Sequence, residues 1–367
     1  MRPVIFAPQE QRASGANARL LGLSQGISEL VDKSAFAGGF SKPTGAMTVV
    51  DHAGSKLAAI GRWLSKTIVP EYDDTSLFVG GVTFGSDATS LTCMGDVANY
   101  DSSTGHYALG VSFQPSSCSR YERSARRFLN SCSFVGVRDD ISYQVVRDLA
   151  PETPVERTFD LMPMMLGMSG VSLNQLERRG IAVCVSGNMS SYLMENLRAS
   201  QRLATVLNRI AKESGEPIYF IDFCSDGLNE DRVAHRTLAA QLCTSVESHF
   251  IAYNANAQAV LSMMSQFRLC LSQRVDALSM AFLAGTPCFQ LWPLDEYSVW
   301  LEGLGLPEQY AEDLRYGSLD IAMHRMLDGL QYGFLEPSVS LDHAYDRAMS
   351  NWMLWYPQLS EHFSQAG

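Results

Sequence analysis

The sequence predicts an α/β protein made of two Rossmann-like, doubly wound domains that face a cleft. Three observations predict it. Short apolar runs alternate with helical stretches along the chain. The rhythm breaks once, at DLMPMMLGMSG (160–170), and then restarts. The length, 367 residues, is more than one standard core holds.

The elements follow in order. VIFA (4–7) reads as a first strand, followed by a loop with Ser14 and Gly15 and a helix over 16–31. Residues 33–46, rich in Gly, Ser and Lys, read as a loop, and 55–68 as helix. SLFVGG (76–81) and YALGV (107–111) are continuous apolar runs, the pattern of strands buried on both faces. A helix over 118–130 and a strand over 134–137 complete the first half. After the break, strands are expected at IAVCVS (181–186), PIYFIDF (217–223), HFIAY (249–253) and LCL (269–271). Helices fall between them at 190–213, 229–243 and 255–266. The boundary belongs between 158 and 175, which divides the chain into 1–165, 166–340 and a C-terminal segment 341–367. That segment carries a last helix, 341–354, expected to pack on the body of the protein.

Composition narrows the class. With 46% apolar and 18% charged residues the chain is globular. A net charge of −11 argues against a nucleic-acid binder, which needs a basic footprint, but leaves room for a local anion pocket. The eight cysteines show no C-x-x-C and no zinc spacing, so no metal site is expected and a reducing cytoplasm is. MRPVIFAPQEQ has too short an apolar run for a signal peptide, and no stretch is long enough to span a bilayer. Peripheral contact at the inner membrane face stays open.

Two junctions carry the chemistry. In FRLCLSQRVDALSMAFLAGTP (267–287) a buried strand runs into a polar turn with Ser272, Gln273 and Arg274, and then into an apolar helix. A helix N-terminus with one fixed cation is a ready anion site. In FVGVRDDISYQVVRDL (134–149), Arg138 stands at the same place, with Asp139 or Asp140 as the helix cap. The two cations would grip one anionic ligand from two sides. The alternative is that Arg138 pairs with the capping aspartates. Gly80 and Gly81, after the strand in VGGVTFG, allow close approach of backbone to a ligand or serve a tight turn. Arg120, Arg123 and Arg127 fall on one helix face with Arg126 beside them, either solvated or in contact with a diphosphate-bearing or anionic acceptor. His249 and His106 each open a strand and read first as structural.

R-D-x-x-S at Arg138, Asp139 and Ser142, together with Ser272, Arg274, Ala277 and Leu278 followed by Ala284-Gly285-Thr286-Pro287, resembles the paired signatures of the polysaccharide pyruvyl transferases. The likeness extends through LFVGGVTFG (77–85), HYALGVSFQP (106–115) and LEGLGL (301–306). It implies a GT-B-like fold and a cytoplasmic transferase of exopolysaccharide biosynthesis. Phosphoenolpyruvate would be the co-substrate, with no separate cofactor, and the acceptor a glycan or lipid-linked glycan. It also implies donor binding by Arg138, Arg274 and Ser272, with Asn17 in the N-terminal loop. The chain departs from the pattern at two places. Asp276 stands where the family has histidine, and Glu296 where it has lysine. Asp276 is then the expected catalytic group, easier as a base or hydroxyl acceptor than as an acid, because Arg274 and the helix dipole favour its charged form. A nucleotide-sugar donor, with Asp295 or Glu296 on the ribose, and a non-catalytic homologue are the other readings.

Overall fold

The computed structural model describes residues 2–6, 48–50, 74–79, 83–85, 91, 94–95, 98, 106–167, 177–186, 193–224, 231–291, 303–306, 310–313 and 316–353. Asn17, Gly80, Gly81, Asp295 and Glu296, and the expected helices at 16–31 and 55–68, lie outside them. The chain is α/β with parallel sheets, and it divides into two compact units. One comprises Met1–Gln11, Gly22–Leu161 and Asp346–Gly367; the other comprises Arg12–Leu21 and Met162–Tyr345.

In the first unit the strands are β1 (Arg2–Phe6), β2 (Thr48–Val50), β3 (Asp74–Val79), β4 (Thr83–Phe84), β5 (His106–Phe113), β6 (Cys132–Val137) and β7 (Val155–Arg157). They order as β2-β1-β3-β5-β6-β7, with β4 beside β5, and every described pairing is parallel. All eight residues of β5 are buried, which is why the strand reads as an unbroken apolar run. Helix α1 (Ser119–Ser131) buries Tyr121, Ala125, Phe128 and Leu129. Phe128 meets Phe84 and Phe113 at ring separations of 5.5 and 6.3 Å, and each such buried ring contributes roughly 2–3 kcal/mol. Helix α2 (Asp140–Leu149) is capped by Asp139, whose carboxylate accepts from the Ser142 N–H at 2.7 Å.

Strand β5 is kinked at Gly110, with φ +63° and a register shift against β6 between Ala108 and Val111. A Cβ there would lie 2.9 Å from the Phe159 carbonyl oxygen, so only glycine fits. Asn351, in the C-terminal helix Leu341–Met353, holds the kink. It accepts from Gly110 N–H at 3.0 Å and donates to the Phe159 carbonyl at 2.8 Å.

The second unit orders its strands β10-β9-β8-β11-β12-β13, again all parallel: β8 (Ile181–Cys184), β9 (Ile218–Ile221), β10 (Ser248–Ile251), β11 (Leu269–Ser272), β12 (Cys288–Leu291) and β13 (Ala311–Glu312). Its helices are α3 (Leu193–Ser214), α4 (Asp231–Ala239), α5 (Ala257–Met264), α6 (Val275–Leu283) and α7 (Leu319–Tyr332). Alternate strand residues Ile181, Val183, Leu269, Leu271, Phe289 and Leu291 pack with α3 and α7 in one core. The intervening residues, including Cys184, Cys270 and Cys288, are buried on the opposite side of the pleat. The segment Met162–Gly167, expected to be a link, is a 3-10 turn at the start of this unit.

Candidate functional site

The second unit places Arg274 as expected, at the carboxyl end of β11 and immediately before α6. In open α/β sheets this edge is where ligands bind. The turn is built by Ser272. Its buried hydroxyl accepts from the Arg274 N–H at 2.8 Å and lies 3.1 Å from the Cys184 carbonyl. Ser272 therefore shapes the turn that presents Arg274. Gln273 pins the neighbouring strand, donating its N–H to the Cys184 carbonyl and accepting from Ser186 N–H. At the other end of α6, Gly285 adopts φ +64°, the left-handed conformation that stops a helix. Arg178 donates to the Gly285 and Ala284 carbonyls there, and Thr286 Oγ1 donates to the Met264 carbonyl at 2.6 Å. The A-G-T-P signature is thus a helix stop fastened on two sides.

Arg274 is held by a residue the sequence did not single out. Asp231, the first residue of α4, is fully buried. Its Oδ2 accepts from the Phe223 and Cys224 N–H groups at 2.9 and 3.0 Å. Its Oδ1 accepts from Arg274 Nε at 2.9 Å and Nη2 at 2.5 Å. A carboxylate already saturated by backbone is a rigid anchor, so it fixes the guanidinium plane. The next turn of α4 adds a second polar tie. His235 accepts from Val185 N–H at its Nε2, 3.1 Å, which puts the ring proton on Nδ1, where it is donated to Asp222 at 2.8 Å. Both ring nitrogens are committed to holding the ends of β8 and β9 together. Burial pushes the Asp222 carboxyl up, but hydrogen bonds from His235 and Arg232 outweigh it and hold its pKa below the ordinary value.

Asp276 lies in the first turn of α6, two residues past Arg274, and is half-buried. The two histidines nearest in type to the family's missing one stand at the wrong edge. His106 is the first residue of β5, and His249 the second of β10, so both sit at the amino ends of their strands. His249 is exposed, pairs with Glu247 at 2.8 Å and stacks on Tyr219.

The first unit repeats the arrangement. Arg138 follows β6 and precedes the α2 cap, with 9% of its side chain exposed. The expected alternative, direct pairing with the capping aspartates, is corrected. Arg138 Nη1 pairs with buried Asp160 at 3.1 Å, and Nε donates to Ser112 Oγ at 2.9 Å. Ser112 in turn donates to Asp139 at 2.8 Å. The serine bridges cap and cation because the cap's other oxygen is spent on the helix. Arg138 and Arg274 belong to different units. Among the described residues no group of three or more His, Cys, Asp or Glu is arranged to hold a metal, and no helix is long and apolar enough to cross a membrane.

Comparison with known proteins bears on this geometry. The UDP-GlcNAc 2-epimerase of Methanocaldococcus jannaschii, solved with UDP-GlcNAc and UDP, is similar in structure with a TM-score of 0.59 at 11% identity, over 97% of this chain and 100% of that one. The UDP-GlcNAc 2-epimerase of Neisseria meningitidis, bound to UDP-GlcNAc, gives 0.56 at 12% identity, over 98% and 100%. That of Rickettsia bellii gives 0.53 at 10%, over 98% and 96%. At such identities the likeness concerns the fold, which is GT-B-like. No curated protein matches in sequence. The family model for polysaccharide pyruvyl transferase matches residues 48–292, which take in both arginine junctions and more than half of the chain. The protein is accordingly an enzyme of transferase type and belongs to the polysaccharide pyruvyl transferase family.

Proposed function

We propose that the protein transfers a pyruvyl group from phosphoenolpyruvate to two hydroxyls of a sugar in a glycan or its lipid-linked precursor, forming a ketal and releasing phosphate. The observation that carries the reading is Arg274, held at the carboxyl edge of the second sheet by fully buried Asp231. A planar guanidinium fixed in orientation suits a phosphate or carboxylate, because it offers parallel N–H groups. Protonation of the donor's methylene carbon makes its C2 electrophilic. One sugar hydroxyl adds to C2, the C2–O bond to phosphate breaks, and the second hydroxyl closes the ketal. One hydroxyl proton balances the new methyl group and the other leaves with phosphate. Arg274 stabilises the departing phosphate. Asp276, at the helix start beside it, accepts a hydroxyl proton. Arg138, at the matching junction of the first unit, is assigned anion binding as well. The proposed compartment is the cytoplasm, consistent with the unbridged thiols of the described cysteines.

A second reading has its own support. Two of the structural neighbours were solved with UDP-GlcNAc, and the carboxylate of Asp276 suits sugar hydroxyls as a hydrogen-bond acceptor. Incubation with phosphoenolpyruvate and a panel of glycans separates the two. Phosphate release with a ketal on the glycan supports pyruvyl transfer. Release of nucleotide from a UDP-sugar, with no phosphoenolpyruvate consumed, supports the other. Under the first reading Asp276→Asn lowers kcat and leaves donor KM near the wild-type value.

A further inference from the structure

Helix α1 carries a feature that the transfer reaction does not use. Its core face is Tyr121, Ala125, Phe128 and Leu129. Its exposed residues are Ser119, Arg120, Arg123, Arg126, Arg127 and Asn130. At 100° per residue these six fall in one stripe opposite the core, and no carboxylate lies among them. Glu122 is on the flank and half-buried. Among the described residues Arg120, Arg123 and Arg126 form no salt bridge; Arg123 donates only to the Ser119 carbonyl, at 3.3 Å. In a chain of net charge −11 this is a local reversal of sign. The helix begins at the carboxyl end of β5, the same edge of the first sheet that carries Arg138.

We propose that this arginine stripe docks the protein on the surface of an anionic lipid bilayer. The stripe offers charge and nothing else. A specific protein partner would need apolar or aromatic anchors, and both aromatic rings of the helix face inward. A single-stranded nucleic acid would need a stacking platform, which the exposed face lacks. A bilayer needs neither, since its mobile headgroups gather under fixed cations, each adding a roughly equal increment of attraction. The acidic remainder of the surface is screened beyond about 10 Å at ordinary salt, so the stripe dominates at contact and also sets the orientation.

Vesicle co-sedimentation of the full chain tests this without involving the transfer reaction, so its failure leaves the proposed function standing. Wild type is expected to bind phosphatidylglycerol-containing vesicles at a low salt of about 0.1 M, where the acidic remainder is still screened, to dissociate at high salt, and to ignore pure phosphatidylcholine. Arg120→Gln/Arg123→Gln/Arg126→Gln is expected to lose affinity by roughly a hundredfold, with an unchanged melting temperature because these side chains are exposed. The control Lys212→Gln/Arg236→Gln, two exposed cations of the second unit, is expected to bind like wild type. No binding to anionic vesicles at low salt overturns the proposal. An equal loss in the control overturns it too, as does binding of a polynucleotide through the same arginines in place of vesicles.

Discussion

Removing the carboxylate of Asp231 should damage both stability and donor binding. The residue is fully buried and, among the described residues, accepts from two backbone amides and twice from Arg274. Asp231→Ala would remove the carboxylate that accepts from the Phe223 and Cys224 amides and that holds a guanidinium only 13% exposed. Breaking a buried pair from one side costs about 3–5 kcal/mol, because the remaining charge is stranded. Loss of the acceptor shared by the two amides would add about 1–3 kcal/mol for each if they were independent, but they share the carboxylate, so the lower total is the better expectation. For a unit of this size the loss corresponds to a fall in Tm of roughly 10 °C. Asp231→Asn keeps an acceptor for the amides and should fall between. The decisive comparison is the double change Asp231→Asn/Arg274→Met. If the two residues act as one unit, the double variant is more stable than the sum of the single losses implies. Urea unfolding with far-UV circular dichroism reads wild type, Asp231→Ala, Asp231→Asn, Arg274→Met and the double variant. Asp231→Ala within about 1 kcal/mol of wild type, or strictly additive single changes, would refute the reasoning.

The same logic applies in the first unit, where Arg138→Met strips the cation from buried Asp160 and should cost about 3 kcal/mol in urea unfolding; a neutral result would mean the pair is not held in solution. Asp222 gives a pH prediction. Its folded pKa lies below the unfolded value of about 3.9, so its contribution is complete above that pH and is lost as pH falls through the folded value. Asp222→Asn should therefore flatten the acid limb of the stability curve, and parallel curves for variant and wild type would contradict the assignment. Cys118 is exposed at the start of α1, where the Tyr121 and Arg120 amides lower its pKa. Peptide mapping after brief alkylation should find it modified ahead of Cys243. Buried Cys132, Cys184, Cys270 and Cys288 should react only on unfolding, and equal labelling of all would count against the burial described.

The frame of the fold was legible because burial on both faces leaves a plain trace. His106–Phe113 and Ile181–Cys184 read as strands because hardly a polar residue interrupts them. Val155–Arg157 and Ala311–Glu312 escaped, since short edge strands have half their surface in water and carry charge. Cys288–Leu291 escaped for a different reason: its Gln290 breaks the apolar run although the side chain is buried. Both arginines were legible because a cation between a strand and a helix start is a local pattern. Their anchors were not. Asp160 lies 22 residues from Arg138, and Asp231 lies 43 residues from Arg274, and neither pairing has a local signature. Ser272 was legible as a site residue but not as the residue that forms the turn, a distinction that rests on which carbonyl its hydroxyl reaches.

In the proposed reaction Arg274, fixed by Asp231, binds the anionic end of phosphoenolpyruvate. Thermal shift with phosphoenolpyruvate and with UDP-GlcNAc, on wild type and on Arg274→Lys, tests it most directly. Ligand at a hundredfold excess over Kd adds about 2.7 kcal/mol to the folded state, a readily measured rise in Tm. Phosphoenolpyruvate is expected to raise the Tm of wild type, Arg274→Lys to abolish the rise because an ammonium cannot reproduce the planar fork, and UDP-GlcNAc to have no effect. Stabilisation by UDP-GlcNAc with none from phosphoenolpyruvate would contradict it, and so would an undiminished phosphoenolpyruvate shift in Arg274→Lys.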